Sequence, residues 1–265
     1  MLTRHFPSTL LATSVILMTF LTLASALPTQ QLQVTPRISH DSVQSTNWSG
    51  YAVTGSTGSV TDAKGSWIVP AIQGSCSSTN QYSSFWVGID GYSSGTVEQT
   101  GTDSDCQGGS PTYYAWYEFY PHPSFIFSSL TVHPGDKISA EAHFSGRTFT
   151  VTITDTTTGA SASKSAHVNS AQRSSAEWIA EAPSSSGGVL PLADFGTASF
   201  GTDNTGIAST NFATINGATG PIGSFGTANI HQITMVTSGG ATKASPSALS
   251  ADGTSFTVKW VSSGP

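Results

Sequence analysis

The sequence predicts an all-β protein built as an antiparallel β-sandwich. Only 9% of its 265 residues are charged and 27 are glycine, whereas long surface helices need many charged residues and alanines. Short runs in which apolar and polar residues alternate recur along the chain, with turn residues between them. A period of two is that of a half-buried strand, so we expect two packed sheets and no helix longer than a turn or two.

The N-terminus is predicted to be an export signal, residues 1–26. Arg4 precedes an apolar run from Leu10 to Leu23, and residues 24–26 form the small-x-small pattern that a signal peptidase cuts. A membrane anchor is the alternative, but the run is short for a bilayer and contains several serines and threonines. We therefore expect a secreted protein with no membrane segment once the signal is removed.

The next stretch sets the domain boundaries. Residues 27–45 have no sustained periodicity and contain two prolines, which is typical of a linker or a short pro-segment. The folded domain is expected over residues 46–265. Its first residues include the sequon Asn47-Trp48-Ser49, an acceptor pattern for N-glycosylation whose use depends on the host.

The domain is expected to begin with two strands, NWSGYAVTG and GSWIVP, separated by a turn rich in glycine and threonine. Residues 138–144 and 149–153 alternate apolar with polar side chains and predict two half-buried antiparallel strands. An extended AEWIAE would place Glu177, Ile179 and Glu181 on one face. Short strands in LADFGTASF, INGATGPIG, ANIHQITMV and SFTVKWV complete the sandwich.

Residues 85–121 are the stretch richest in aromatic rings and carboxyl groups. Alternation places its residues on shared faces in three sets: Trp86, Gly88 and Asp90; Gln99, Gly101 and Asp103; and Tyr114, Trp116, Glu118 and Tyr120. A carboxyl group among aromatic rings would be partly desolvated, which raises its pKa and marks Glu118 as a candidate site residue. A buried structural hydrogen-bond network would have the same effect, and rings alone are typical of a sandwich core.

Two motif readings are disfavoured by their context. Gly91-Tyr92-Ser93-Ser94-Gly95 matches the G-x-S-x-G nucleophile elbow, but that motif needs a strand that turns into a helix, and an extended run follows here. The seven histidines are scattered without an H-E-x-x-H pattern, so no metal site is predicted. Ser93 and the histidines are expected to be ordinary surface residues.

The charge and the cysteine content of the chain indicate which ligands and which environment to expect. The net charge is −6 with nine Lys and Arg residues and no basic cluster, so nucleic-acid binding is not expected. At low pH the carboxylates are protonated, and the few Lys and Arg residues repel one another only weakly. The composition therefore suits a protein that works in an acidic medium. The only two cysteines, Cys76 and Cys106, are predicted to pair as a disulfide in an oxidising compartment.

Five motifs occur in the order and approximate spacing seen in the glutamic peptidases, the eqolisin family: NWSGYAV, WVGIDG, the glutamine of VEQTGTD, YAWYEFYP and AEWIAE. From about residue 47 to its end the chain resembles this family. The resemblance implies a lectin-like sandwich of two long sheets, of the concanavalin A type. It also implies an endopeptidase that acts on proteins at acidic pH, is insensitive to pepstatin and uses no metal or organic cofactor. We expect the protein to be a monomer.

The resemblance also assigns site residues. Gln99 and Glu181 match the family's catalytic dyad, and Asp103 and Glu118 match acidic residues placed around it. Positions near the cleft are matched by Trp48, Trp86, Asp90, Trp116 and Tyr120. The single possible disulfide and the serine-rich loop after WVGIDG depart from the family and leave substrate preference open. Without the resemblance, Glu181 would be read as a solvated carboxylate at a strand end and Gln99 as a turn residue.

Two other functions remain as alternatives on the same fold. Glu118 and Glu181 could be the paired carboxylates of a secreted polysaccharide hydrolase, although the E-x-D-x-x-E arrangement of lectin-like glucanases is absent. A non-catalytic carbohydrate-binding sandwich would use the aromatic face as a sugar platform. Digestion of a protein at acidic pH separates the three possibilities.

Overall fold

The computed structural model describes residues 38–39 and 43–264. The predicted export signal and most of the predicted pro-segment lie outside the described residues. Among the residues that are described, no helix is long and apolar enough to cross a membrane. The helical elements found there are one short turn of α-helix, α1 (Thr202–Thr205), and one 3-10 turn (Ile222–Ser224), as the composition predicts.

The described chain is otherwise made of strands. In chain order they are β1 (Ile38–Ser39), β2 (Gln44–Ser45), β3 (Trp48–Thr54), β4 (Val60–Ile68), β5 (Ser84–Ile89), β6 (Glu98–Gln107), β7 (Ser110–Phe119), β8 (Phe125–Ile126), β9 (Lys137–Ser145), β10 (Thr148–Asp155), β11 (Ala160–Ala166), β12 (Ser175–Glu181), β13 (Ser184–Ser185), β14 (Gly188–Val189), β15 (Thr197–Phe200), β16 (Phe212–Ile215), β17 (Ala218–Pro221), β18 (Ile230–Val236), β19 (Thr242–Pro246) and β20 (Phe256–Trp260).

The strands form two layers that are joined through β18. One layer, called the site sheet below, has the antiparallel order β18-β3-β12-β5-β6-β7-β8. The other layer, the second sheet, runs β11-β10-β9-β4, and β15 and β16 pair with β4. The first half of β18 pairs with β3 and its end pairs with β19, so one strand crosses between the layers.

The hydrophobic core lies where the two sheets face each other. Alternation is the cause: β10 buries Phe149, Val151 and Ile153 and turns the intervening threonines outward. Phe85 and Val87 of β5 supply apolar side chains from the site sheet to the same cluster. The predicted two-sheet antiparallel sandwich is confirmed, and the inward-facing residues of 138–144 and 149–153 are those that the pattern indicated.

The two cysteines form the predicted disulfide. Cys106 of β6 is bonded to Cys76, with an S–S distance of 2.04 Å and a sequence separation of 30 residues. A closed loop of this length is expected to contribute about 3 to 4 kcal/mol, since the cross-link restricts the unfolded chain. Thiol labelling of the denatured, unreduced protein should therefore find no free thiol, and reduction should lower the urea midpoint. Stoichiometric labelling of both cysteines before reduction would contradict this prediction.

Candidate active site

The face of the site sheet that points away from the core carries polar and aromatic side chains in three cross-strand rows. The register of the strands gives these rows as Trp48, Glu181, Ser84, Asp103 and Tyr114; Gly50, Ile179, Trp86, Gly101 and Trp116; and Ala52, Glu177, Gly88, Gln99 and Glu118. Both residues of the predicted dyad therefore lie on one face, although they are far apart in sequence.

Glu181 is the last residue of β12 and is only 1% exposed. Asn47 Nδ2 donates a hydrogen bond to its Oε1 at 3.1 Å, and Trp86 Nε1 donates to its Oε2 at 2.8 Å. Each carboxyl oxygen thus accepts one N–H bond, which favours the carboxylate over the acid. Glu181 is a buried and firmly held carboxyl group, not a solvated strand end.

Gln99 of β6 lies directly opposite Glu118 of β7, and both side chains are buried. Gln99 Nε2 donates to Glu118 Oε2 at 2.6 Å. The other oxygens, Gln99 Oε1 and Glu118 Oε1, are buried and make no hydrogen bond to the described residues. The second hydrogen of the Gln99 amide and its oxygen are therefore the groups that can contact a molecule bound on this face.

The two glutamates on this face differ in their electrostatic surroundings. Burial raises the pKa of Glu118 well above its usual range, the Gln99 hydrogen bond opposes the rise, and the charge of Glu181 adds to it. Burial raises the pKa of Glu181 to about 8, against hydrogen bonds from Trp86, Trp48 and Asn47. Because Glu181 accepts two N–H bonds and Glu118 one, we infer that Glu181 ionises first and Glu118 stays protonated.

Asp103 fixes two of the aromatic rings. Trp116 Nε1 donates to its Oδ1 at 2.6 Å, and the Tyr114 hydroxyl donates to its Oδ2 at 2.8 Å. Burial raises the pKa of Asp103 to about 6, and these donors act in the opposite direction. Neighbouring Asp105 also has a pKa well above its usual range, because of burial first and the charge of Asp103 second. Asp103 is therefore placed beside the dyad as an anchor for ring positions.

Gly101 lies in the middle row between Trp86 and Trp116, its partners in the strand register. A Cβ atom at this position would lie 2.4 Å from the Phe85 carbonyl oxygen, 2.7 Å from Trp86 Cβ and 3.0 Å from Trp116 Cζ2. The backbone oxygen cannot move away, so only glycine fits. The absence of a side chain lets Trp86 and Trp116 approach this point of the site sheet closely.

The remaining cleft positions have different outcomes. Trp48 is buried edge-on to Trp86, with ring centroids 5.0 Å apart, and Tyr120 is half-buried against the same apolar cluster. Asp90 is not placed as the strand pattern suggested. β5 ends at Ile89, and Asp90 has a left-handed φ of 71°.

The Asp90 carboxylate accepts its hydrogen bonds from loop residues. It accepts hydrogen bonds from the backbone N–H groups of Arg173 at 2.6 Å and Ser174 at 2.8 Å, and from the Thr96 hydroxyl at 3.4 Å. Its role in the structure is to tie the turn before β12 to the end of β5. Asp90 thus lies past the end of β5 and anchors a loop, and its place near the cleft stays a prediction.

Sequence reasoning missed Asn47 and Ser45. The sequence indicates only a sequon at Asn47, yet this residue is fully buried and bonded to Glu181. Ser45 falls in the expected pro-segment, yet it is 1% exposed and lies in β2, which pairs with β18. Two small polar residues just ahead of a strand are a usual signal for a local hydrogen-bonded turn, and this signal was available.

Two further buried acids were not singled out as site residues. Glu177 shares the face of Glu181, and Glu98 points to the opposite face from Gln99; both are 0% exposed. None of their carboxyl oxygens makes a hydrogen bond of good geometry within the described residues. Burial, and then the charge of Asp90, raises the pKa of Glu98 to about 9, and burial raises that of Glu177 well above its usual range. The surroundings of both carboxyl groups therefore favour the neutral acid over the carboxylate.

Ser93 is expected to be dispensable. It is exposed in a bend between β5 and β6, no helix follows it, and its hydroxyl lies 3.2 Å from that of Ser174. Without the strand–turn–helix context a serine at this position has no means of activation. Ser93→Ala should keep wild-type kcat/KM, and a serine-directed organophosphate should not inactivate the protein. Loss of activity in both assays would restore the hydrolase alternative.

One cluster in the described part of the chain has the residue types of a metal site. Ligand atoms of Asp62, Glu141 and His143, on the second sheet, lie within 4.8 Å of one another. The cluster already has internal partners: His143 Nδ1 lies 2.8 Å from Asp62 Oδ2, and Lys64 Nζ lies 3.3 Å from Glu141 Oε1. These contacts are on the other layer from Gln99 and Glu181, so the cluster is separate from the candidate active site.

Comparison with known proteins identifies a peptidase family and two similar fungal peptidases. The model of the family described as the Peptidase A4 family matches residues 46–219. Aspergillopepsin-2 of Aspergillus niger is 30% identical over 177 residues, which cover 58% of this chain and 62% of that protein. Scytalidopepsin B of Scytalidium lignicola is 36% identical over 140 residues, which cover 51% of each chain. The chain thus spans about half to three-fifths of the length of these relatives.

Two solved structures resemble this fold over a larger share of the chain than the sequence matches cover. The crystal structure of scytalido-glutamic peptidase with a transition state analog inhibitor has a TM-score of 0.65 and 26% identity, and the match covers 82% of this chain and 98% of that chain. Aspergilloglutamic peptidase from Aspergillus niger has a TM-score of 0.57 and 28% identity, covering 68% of this chain and 99% of that chain.

Proposed function

The chain belongs to the Peptidase A4 family, and from this premise we propose that it is a secreted endopeptidase that hydrolyses peptide bonds in proteins at acidic pH. The observation that carries the proposal is Glu181, a buried carboxyl group with an N–H donor on each oxygen, on the same sheet face as the Gln99 amide. A similar protein has been solved in a complex with the tripeptide Ala-Ile-His, which supports a peptide as the ligand.

In the proposed reaction Glu181 and Gln99 act on one water molecule. The Glu181 carboxylate takes a proton from the water as the water oxygen attacks the scissile carbonyl carbon. The Gln99 Nε2 hydrogen that is not bonded to Glu118 stabilises the negative charge on the carbonyl oxygen. Protonated Glu181 then gives its proton to the amide nitrogen as the C–N bond breaks, which returns the carboxylate. One water is consumed and a carboxylic acid and an amine are formed.

The surroundings of this pair support the division of roles. Glu118 as a neutral acid orients the Gln99 amide through the 2.6 Å hydrogen bond, and its proton avoids a second negative charge beside Glu181. Trp48, Trp86 and Trp116 form an apolar floor that lowers the local dielectric constant and strengthens these interactions. Neither step requires a metal or an organic cofactor, and the proposed form is a monomer.

The pKa of Glu181 bears on the working pH range. A carboxylate base near its ordinary pKa would act at about pH 4. Burial instead raises the pKa of Glu181, so the ionised fraction rises over a higher range than that of a free glutamate. The acid side of the activity profile should therefore follow the ionisation of the Glu181 and Glu118 pair, and a single assay pH is not sufficient.

Digestion of a denatured protein substrate tests the proposal. Wild type, Glu181→Gln and the matched control Glu177→Gln should be compared from about pH 3 to 9, with pepstatin and a chelator present, because this range begins at ordinary carboxyl pKa values and passes the raised pKa of Glu181, about 8. We expect cleavage by wild type and by the control, and none above background by Glu181→Gln. Cleavage of a glycan with no cleavage of protein would instead establish the hydrolase alternative, and neither activity would indicate a binding module.

A further inference from the structure

The segment from Ser45 to Trp48 is joined to Glu181 by an unbroken chain of hydrogen bonds. The Ser45 hydroxyl donates to Asn47 Oδ1 at 2.9 Å, and Asn47 Nδ2 donates to Glu181 Oε1 at 3.1 Å. Ser45 Oγ also accepts the backbone N–H of Trp48 at 3.0 Å. The Asn47 carbonyl oxygen accepts the N–H of Ala182, the residue after Glu181, at 2.8 Å. All of these atoms are buried.

This chain determines which way the Asn47 amide faces. A serine hydroxyl has one hydrogen, and here it is given to Asn47 Oδ1 while the lone pairs accept backbone N–H groups. With its oxygen occupied by a donor, the amide can turn only its Nδ2 toward Glu181. An amide turned the other way would place two oxygens against each other in a buried site, which is costly.

Few other groups can stabilise charge on Glu181. The titratable groups that face it are Asp103 from β6 and Glu118 from β7, and both oppose its ionisation. Among the described residues no lysine, arginine or histidine forms an ion pair with it. Lys243 of β19 reaches only the Thr46 carbonyl oxygen, at 3.5 Å. The anion therefore depends on the Asn47 and Trp86 N–H groups, which donate to its two oxygens, and on the nearby Trp48 indole.

We propose that Asn47 is a positioning residue for Glu181, and that Ser45 holds Asn47 in the orientation that donates to Oε1. The kinetic part of this inference rests on the proposed function. The effect of the Asn47 hydrogen bond on the ionisation of Glu181 does not rest on it, because that ionisation can be measured without any reaction. Two consequences follow. The sequon at Asn47 is not glycosylated in the folded protein, since Nδ2 is bonded and the side chain is 0% exposed. If a pro-segment is removed, the cleavage occurs at or before Ser45, so that Ser45 remains part of the active chain.

Asn47→Leu tests the contact, because leucine has a similar size and no donor. We expect kcat to fall by about 10- to 100-fold with little change in KM, since a hydrogen bond to a charged group contributes on this scale. The acid side of the kcat/KM profile should move to higher pH by about one to two units. Ser45→Ala should shift it in the same direction by less. Ser49→Ala is the matched control: it removes the sequon but not the Asn47 amide, and the Ser49 hydroxyl has no hydrogen-bond partner.

A second readout does not need activity. The ionisation of Glu181 can be followed by infrared difference spectroscopy of the carboxyl band, with Glu181→Gln as the blank. An upward shift in Asn47→Leu, or in Ser45→Ala if Asn47→Leu does not fold, supports the positioning role even if wild type cleaves no peptide, in which case only the proposed function fails. An unmoved Glu181 titration and an unmoved pH profile in the folded variants would overturn it.

The modification state gives an independent check. The protein should be produced in a host that glycosylates sequons, and the peptide containing Asn47 analysed by mass spectrometry together with the N-terminus of the active form. We expect an unmodified Asn47 and a chain that begins at or before Ser45. A folded and active protein that carries a glycan on Asn47, or that begins after Ser45, would contradict the inference.

Discussion

Replacing Glu181 by glutamine is expected to lower kcat/KM by at least about 100-fold, and replacing Gln99 by methionine to cost a similar factor. Glutamine at 181 keeps the size of the side chain but cannot take a proton from water. Methionine at 99 keeps the length but loses the amide that stabilises the oxyanion. Both positions are fully or almost fully buried, so these near-isosteric changes are preferable to alanine, which would leave cavities in the site sheet.

The same pair should behave as one unit. If Glu181 and Gln99 act on a single water, the double variant should be hardly slower than the poorer single variant, because the second change removes a group whose partner is already lost. The measurement is kcat/KM for both single variants and the double variant across acidic pH, with circular dichroism to confirm the sheets. Glu177→Gln, on the same strand and face as Glu181, serves as the control and should retain activity.

The dyad assignment has a clear contrary result. A folded single variant that keeps more than roughly a tenth of wild-type kcat/KM has lost only about 1.4 kcal/mol of transition-state stabilisation. That is too little for a group that transfers a proton or stabilises the developing oxyanion. Fully additive losses in the double variant would likewise show that the two residues act in separate steps.

The alternation of side chains made most of the fold predictable. Residues 138–144 and 149–153 have a strict period of two, and in β9 and β10 the apolar half of each pattern lies in the core. The same rule divided β7 correctly, with Glu118 and Trp116 on the site face. The same rule places Glu98 on the other face of β6 from Gln99, so this buried acid is predictable from the sequence.

The strand pattern failed at Asp90 for a local reason. Extension of β5 by one residue would have kept Asp90 on the face of Trp86, but the chain turns there with a left-handed φ, which aspartate tolerates better than most residues. Its carboxylate is then used by the Arg173 and Ser174 backbone N–H groups. A strand end cannot be located from alternation alone, since alternation carries no information about where pairing stops.

The composition of the site could not be derived from spacing. Glu181 and Gln99 lie on β12 and β6, which are separated by β5 in the sheet and are not consecutive in sequence. Only the pairing of β12 with β5 brings them to one face, and the resemblance to a family supplied that information. The role of Asn47 was hidden for the same reason, because its partner is 134 residues away.

A rise from acidic to neutral pH is expected to destabilise the fold, and Glu98→Gln and Glu177→Gln to remove much of that loss. Both carboxyl groups have raised pKa values in the fold, to about 9 for Glu98. A raised pKa means that the folded state binds the proton more tightly than the unfolded chain. This contribution is complete below the unfolded value of about 4.3 and is lost as pH rises toward the folded value.

The melting temperature should be measured from about pH 3 to 8 for wild type, both single variants and the double variant, a range that starts below ordinary carboxyl pKa values. Wild type should be most stable at the acidic end and lose several degrees or more by neutral pH, because a domain has only about 5 to 15 kcal/mol in total. The glutamine variants should have flatter profiles and exceed wild type near pH 7. Asp203→Asn, at an exposed position, is the control and should run parallel to wild type.

A glutamine profile that falls with pH as steeply as that of wild type would show that Glu98 and Glu177 are not the groups whose ionisation opens the fold. Glu118 and Asp105, two other buried acids whose pKa values are raised by burial, would then be the next to replace. A wild-type melting temperature that does not change with pH would contradict the idea that the fold buries these carboxyl groups as neutral acids. The expected result has a mechanistic consequence: the ionisation of Glu181 limits activity on the acid side, and that of Glu98 and Glu177 limits the folded population on the neutral side.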